Sequence, residues 1–143
     1  MKNSAFLLVF SVLFFALATV GCGNKYGGYV IVEISGTVAA NGKPLPEGFV
    51  LTFQPEQGRS SEAVVGPGGA YRAVYSASKA GVQKGPCQAK VSWSPAALGP
   101  GGLTPPPVPE EFAPLLEKYG FASEGLPLEI KKKSKEFNID FEF

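Results

Sequence analysis

The chain holds 143 residues with a formal charge of +1; 45% of its side chains are apolar, 17% are charged, and none is histidine. That length fits one ordinary domain, and the composition excludes intrinsic disorder, which needs low hydrophobicity and high charge. Without an imidazole there is no Ser-His-Asp or Cys-His site, no histidine zinc site and no H-E-x-x-H protease, and a near-neutral chain offers no basic face to nucleic acid.

Residues 1–21 read as an export signal. Lys2 supplies a positive start, and Ala5 to Val20 form an apolar run shorter than the roughly 20 residues a membrane span needs. Thr19-Val20-Gly21-Cys22 then resembles the lipobox of bacterial lipoprotein precursors, with Thr19 where those lipoboxes usually carry Leu. The resemblance implies that Cys22 becomes a diacylated N-terminus, so that the membrane is a partner through the acyl anchor. Two chains give the stable attachment that one does not. Gly23 after the cysteine leans, by analogy with enteric sorting, toward the outer membrane. Residues 22–28 follow as lipidated cysteine and flexible tether, Gly23 to Gly28 reaching roughly 20 Å when extended. Residues 29–143 form the domain. Loss of the signal removes Lys2 and leaves acidic and basic groups in balance.

From there the chain alternates. Val30, Val32, Ile34 and Val38 take one face of a strand against Ile31, Glu33, Ser35 and Thr37. Asn41-Gly42 is a strong hairpin signal, because both residues accept positive φ. Phe49, Leu51 and Phe53 alternate in the returning strand, which Pro55 ends. Glu62 to Val65 and Ala70 to Tyr75 read as a hairpin around Gly66-Pro67-Gly68-Gly69, and Gln88 to Trp93 as the next strand. Leu126 to Ile130 and Glu136 to Phe143 close the series, joined by Lys131-Lys132-Lys133-Ser134-Lys135. The last strand puts Phe137, Ile139, Phe141 and Phe143 on one side and Asn138, Asp140 and Glu142 on the other. About seven short strands with frequent turns predict an all-β sandwich.

Residues 94–125 interrupt the pattern with Gly99-Pro100-Gly101-Gly102 and Pro105-Pro106-Pro107. Within this long loop Phe112, Leu115, Leu116 and Tyr119 recur at helical spacing between Pro109 and Gly120. Pro114 would clash inside a full helix, so one or two turns are expected. So long a loop in a compact domain is functional or folded onto the sheet. Pro109, Glu110, Glu111, Phe112 and Tyr119 are therefore the candidate partner-binding residues.

The two cysteines separate. Cys87 runs in phase with Ala89, Val91 and Trp93, which reads as a small buried hydrophobe. If Cys22 is lipidated, Cys87 is a free thiol; if it is not, an export compartment permits a Cys22–Cys87 disulfide.

Ser35-Gly36-Thr37-Val38, Asn41-Gly42-Lys43-Pro44-Leu45 and Val50-Leu51-Thr52-Phe53 together resemble the opening of carboxypeptidase-regulatory-like, transthyretin-like domains. Gly69-Ala70-Tyr71-Arg72 is similar to their D-G-x-Y hairpin, and Lys84-Gly85-Pro86 with Ala89-Lys90-Val91 to their P-G-x-Y-x-V strand. Val108-Pro109-Glu110-Glu111-Phe112 and Phe137-Asn138-Ile139-Asp140-Phe141 resemble segments of small planctomycete lipoproteins built on that domain. The resemblance implies a seven-stranded immunoglobulin-like or prealbumin-like sandwich, and it implies neither catalytic residues nor a cofactor.

The remaining candidates have plain readings beside the functional ones. Glu110-Glu111 could do acid–base work, but carboxylates in a first helical turn also complement its dipole. Lys131, Lys132, Lys133 and Lys135 could contact anionic head groups or acidic glycans, or form a solvated turn that discourages edge pairing. Trp93, in phase with Val91, reads as core rather than a sugar platform. Asp140 is the chain's single Asp, so no calcium loop is indicated. The expectation is a non-enzymatic, lipid-anchored envelope module that binds an envelope protein or gives structural support. The alternative is a carbohydrate-binding or substrate-capture accessory of a surface uptake system.

Overall fold

The computed structural model describes residues 27–95, 106–132 and 136–143. Their fold is mostly β, with several antiparallel ladders and one short α-helix. Its centre is the pair β4 (Phe49–Pro55) and β10 (Gly85–Trp93), antiparallel with Phe49 opposite Trp93, Leu51 opposite Val91 and Phe53 opposite Ala89. This register sends the apolar set to one face and Val50, Thr52 and Gln54 to the other, as a period of two requires. Phe49, Leu51 and Phe53 are fully buried. The sheet continues through β5 (Ser61–Val64), β7 (Val74–Ser76) and β8 (Lys79–Ala80) on one side and β11 (Leu126–Ile130) on the other.

A second sheet is organised around β2 (Ser35–Ala40). One side of β2 pairs with β3 (Lys43–Pro44) and β6 (Ala70–Arg72), the other with β12 (Ile139–Phe141) in parallel. A two-stranded ladder of β1 (Ile31–Val32) and β9 (Val82–Gln83) stands apart from both. The two larger sheets share one core, to which Val38, Ile139 and Phe141 contribute from the second sheet and Leu51, Phe53 and Val91 from the first.

Three expectations change on contact with tertiary pairing. The strand foreseen from Val30 to Val38 divides, because β1 pairs with β9 whereas β2 pairs with β3, β6 and β12. Val32 and Ile34 keep the inward phase across the break, but Val30 precedes the ladder and is exposed. Ala70 to Tyr75 is not simply the hairpin partner of Glu62 to Val65. It divides at Ala73, so that β6 joins β2 and β7 joins β5. The fully buried Ala73 donates its N–H to the Ile34 carbonyl and accepts from the Gly81 N–H, holding the crossing between sheets.

The lysine run is likewise not a hairpin turn. β11 pairs with β10 and β12 with β2, so the two strands that flank the run belong to different sheets, and Lys131 and Lys132 leave the first of them. The one or two helical turns expected around Pro114 are present. A 3-10 turn at Glu110–Phe112 runs into α1 (Ala113–Tyr119), and Pro114 occupies its first turn, where an amide hydrogen has no intrahelical partner. Gly120 ends α1 with its N–H on the Leu116 carbonyl, and Leu115 and Tyr119 face the core.

Candidate interaction surfaces

The strand registers define two poles. At one, β2 ends and β4 begins; at the other, β4 ends, β10 begins and the described chain enters through Gly27 to Val30.

The first, distal pole is closed by hydrogen bonds. Asn41 and Gly42 take φ of 49° and 76°, the left-handed pair a two-residue hairpin demands and that Asn and Gly tolerate. The Asn41 N–H donates to the Phe141 carbonyl at 2.9 Å. Its side-chain amide then extends the ladder by another rung, donating to the Phe143 carbonyl and accepting from the Phe143 N–H, both at 3.1 Å. The Gly42 N–H lies 3.1 and 3.2 Å from the two oxygens of the Asp140 carboxylate. Lys43 Nζ meets Glu111 at 2.8 Å, tying the hairpin to the 3-10 turn. Lys118 Nζ and the Tyr119 hydroxyl both donate to the Glu142 carbonyl, at 2.7 and 2.8 Å. Exposed Glu110, Glu111, Asp140 and Glu142 make this rim acidic, with Lys43 and Lys118 among them.

Trp93 closes the same pole from inside. Its ring packs edge-on against Phe49 at 4.8 Å, and Phe49 in turn meets Phe112 at 5.5 Å. The indole N–H donates to the Pro106 carbonyl at 2.8 Å.

The entry pole is built differently. The Lys84 N–H donates to the Val30 carbonyl at 2.8 Å, and Ile31 lies opposite Gln83. A Cβ added at Gly58 would come within 3.1 Å of the Tyr29 ring, which places the loop carrying Arg59 beside that ring. Ile130 pairs with Gly85, so Lys131 and Lys132 emerge from β11 next to Lys84. Arg59, Lys84, Lys131 and Lys132 are all exposed. Beneath them, buried Gln83 donates from its amide nitrogen to the Gln57 carbonyl at 2.9 Å. Its Oε1 and the buried Ser61 hydroxyl have no hydrogen-bond partner among the described residues. Two open cavities flank the loop: one of about 390 Å³, lined by Arg59, Ser60, Glu62 and Tyr75 among others, and one of about 300 Å³ beside Gln54, Glu56, Cys87 and Gln88.

Of the candidate partner residues, Phe112 and Tyr119 are committed to the core. The reason is the helical spacing that marked them, which turns them with Leu115 onto the sheets. Pro109 is half-buried, and Glu110 and Glu111 remain on the surface. Lys131 and Lys132 are exposed. Lys133, Lys135 and the lipobox residues Thr19, Val20, Gly21 and Cys22 lie outside the described residues, as do Gly99 to Pro105.

Cys87 is buried in the core, and its thiol has no disulfide partner among the described residues. Burial first, and the neighbouring Glu129 charge second, push its pKa up to about 11, so it stays protonated and unreactive at neutral pH. Burial, with the Cys87 charge second, likewise raises the Tyr71 phenol, whose hydroxyl donates to the Phe137 carbonyl.

Arg59, Lys84 and Tyr29 were not singled out by sequence. They come from three separate segments, and only the clustered lysines carried a local signal.

No family model, no curated protein and no solved structure matches the chain. Among the described residues, no helix is long and apolar enough to cross a membrane.

Proposed function

We propose that the chain is a lipid-anchored, non-catalytic binding or structural module of the cell envelope, exported by residues 1–21, acylated at Cys22 and engaging an envelope protein. In this reading it folds as a two-sheet sandwich of the transthyretin-like kind. Supporting that, β1–β2 and β6–β7 can each be taken as one bent strand. With β4, β5, β10, β11 and β12 they make the seven expected strands, once the two-residue β3, β8 and β9 are set aside.

The observation that carries the function is polarity of placement. The chain enters at one end, while the hydrogen-bonded acidic rim with Glu110 and Glu111 lies at the other, so an anchored domain would hold that rim away from the bilayer. A rim held in place by the fold loses little ordering entropy on docking, which favours protein recognition.

A photocrosslinking side chain at Glu110 on intact cells should capture a discrete envelope protein, and one at the exposed Val64 should not. The reverse pattern would overturn the assignment. Mass spectrometry of the mature N-terminus should find acyl mass on Cys22, and Cys22→Ser should mislocalise the protein. An unmodified Cys22 disulfide-bonded to Cys87 would refute the anchor.

A second reading, carbohydrate or substrate capture, is favoured by one observation: the open cavity that combines Arg59, Ser60, Glu62 and Tyr75. A charged pair beside hydroxyls suits a hydroxyl-rich ligand. Selective glycan binding abolished by Glu62→Ala would displace the first reading.

A further inference from the structure

We infer that the entry pole is a lipid-facing surface, on which Arg59, Lys84, Lys131 and Lys132 engage anionic phospholipid head groups while Tyr29 and Val30 sit at the interface. The inference rests on the acyl anchor at Cys22 and adds to it a second, electrostatic contact made by the folded domain.

Three independent segments converge there. Backbone pairing sets Lys84 against Val30, the Ile130–Gly85 pair brings Lys131 and Lys132 alongside, and the Gly58 loop carries Arg59 past Tyr29. Tyr29 and Val30 are 36% and 53% exposed, a contiguous aromatic and aliphatic pair at the point of chain entry. A tyrosine beside basic side chains is the composition that settles at the head-group level.

The geometry of the tether demands proximity. Four residues separate Cys22 from Gly27, a span of at most about 18 Å, so an acylated Cys22 keeps this pole within reach of the bilayer surface. Glu56, Glu62, Glu129 and Glu136 lie toward the same end, Glu62 lining the cavity beside Arg59, and offset much of the positive charge. The opposite rim carries Glu110, Glu111, Asp140 and Glu142. The distal rim is thus the more acidic end, and a negative surface orients such a body with that rim away and the lysine-bearing pole toward it. Each basic group near an anionic surface contributes about a fivefold gain in binding, additive over the cluster and screened by salt.

The test uses the acylated full-length product reconstituted into vesicles of phosphatidylcholine alone or mixed with phosphatidylglycerol. A Tyr29→Trp, Trp93→Phe form reports the entry pole, and the unsubstituted protein, through Trp93, reports the distal one. Brominated lipid should quench the tryptophan at position 29 in anionic vesicles and leave Trp93 bright. Lys84→Gln with Lys132→Gln should lower the ratio of anionic to neutral partitioning roughly 25-fold, as should raised salt.

Quenching that ignores lipid charge, or survives the double substitution unchanged, overturns the surface. So does binding of an acidic polysaccharide, in place of vesicles, with the same lysine dependence. Acylated protein without quenching leaves the anchor standing and removes this inference. Unacylated protein that still sediments with anionic vesicles does the opposite.

Discussion

The two ends of this domain satisfy their polar groups in opposite ways. At the distal pole the backbone and side chains of Asn41, Gly42, Asp140 and Phe143 answer one another, and Trp93 finds the Pro106 carbonyl. At the entry pole the Ser61 hydroxyl and the Gln83 carbonyl oxygen are buried without partners among the described residues, and two cavities open beside them. Buried unpaired groups destabilise, whereas paired ones add rigidity. The lesson is that stability is concentrated at the end farthest from the chain's entry. The entry end holds the looser packing on which surface chemistry can act.

The comparison breaks most directly at Phe49. Its fully buried ring touches Trp93 and Phe112, so Phe49→Ala removes the aromatic centre that joins β4, β10 and the 3-10 turn. A loss of about 3–5 kcal/mol is expected, read from urea midpoints. A loss below about 1 kcal/mol would show that this pole is not the stable one.

Asn41 ranks next. Asn41→Ala removes two side-chain bonds to Phe143 and forces alanine into a left-handed backbone, together about 2 kcal/mol. Asn41→Gly keeps the backbone freedom and should recover part of the loss. Equal losses in the two would place the whole effect in the side-chain bonds.

At the entry pole itself, beside the second cavity, lies Cys87. Unfolded, its thiol ionises near pH 9.0; folded, only at about 11. The folded state therefore holds the proton more tightly. Stability is intact below about pH 9 and falls as pH rises toward 11, and the raised Tyr71 phenol adds a loss of the same sign. Urea midpoints across that window should decline less in Cys87→Ala than in the natural chain.

The fold was legible wherever a face is set by local alternation. Phe49, Leu51 and Phe53, the Cys87-to-Trp93 phase and the terminal Phe137-to-Phe143 stripe all orient as the period of two requires. The Asn41-Gly42 turn was legible because its φ values are a property of those two residues. Pairing was not. Nothing local distinguishes a hairpin from a chain that changes sheets at Ala73, or a lysine-rich turn from a crossing, since those outcomes depend on partners far along the sequence. The surface was least legible. Phe112 and Tyr119 read as partner-binding residues at helical spacing, but that spacing turns them into the core, and Arg59 joins Lys84 only through tertiary proximity.

Ser61→Ala sharpens the contrast from the entry side. It removes a buried hydroxyl with no partner among the described residues, so stability should stay level or rise by up to about 1 kcal/mol. A loss comparable to that of Asn41→Ala would mean the two poles are equally dependent on their polar groups.

The smallest effect belongs to the most conspicuous contact. Lys43 and Glu111 approach to 2.8 Å, but their side chains are 71% and 55% exposed. Water already solvates both charges, salt screens what attraction remains, and holding two long side chains together removes rotamer freedom. Glu111→Gln should therefore change stability by less than about 0.5 kcal/mol, and 0.5 M salt should erase even that. If Glu111 instead serves a docking partner, the same substitution should weaken crosslinking from Glu110 while the unfolding curve stays in place. Separate responses in the two measurements would assign the carboxylate to recognition. A matched fall in both would make it a strut of the rim.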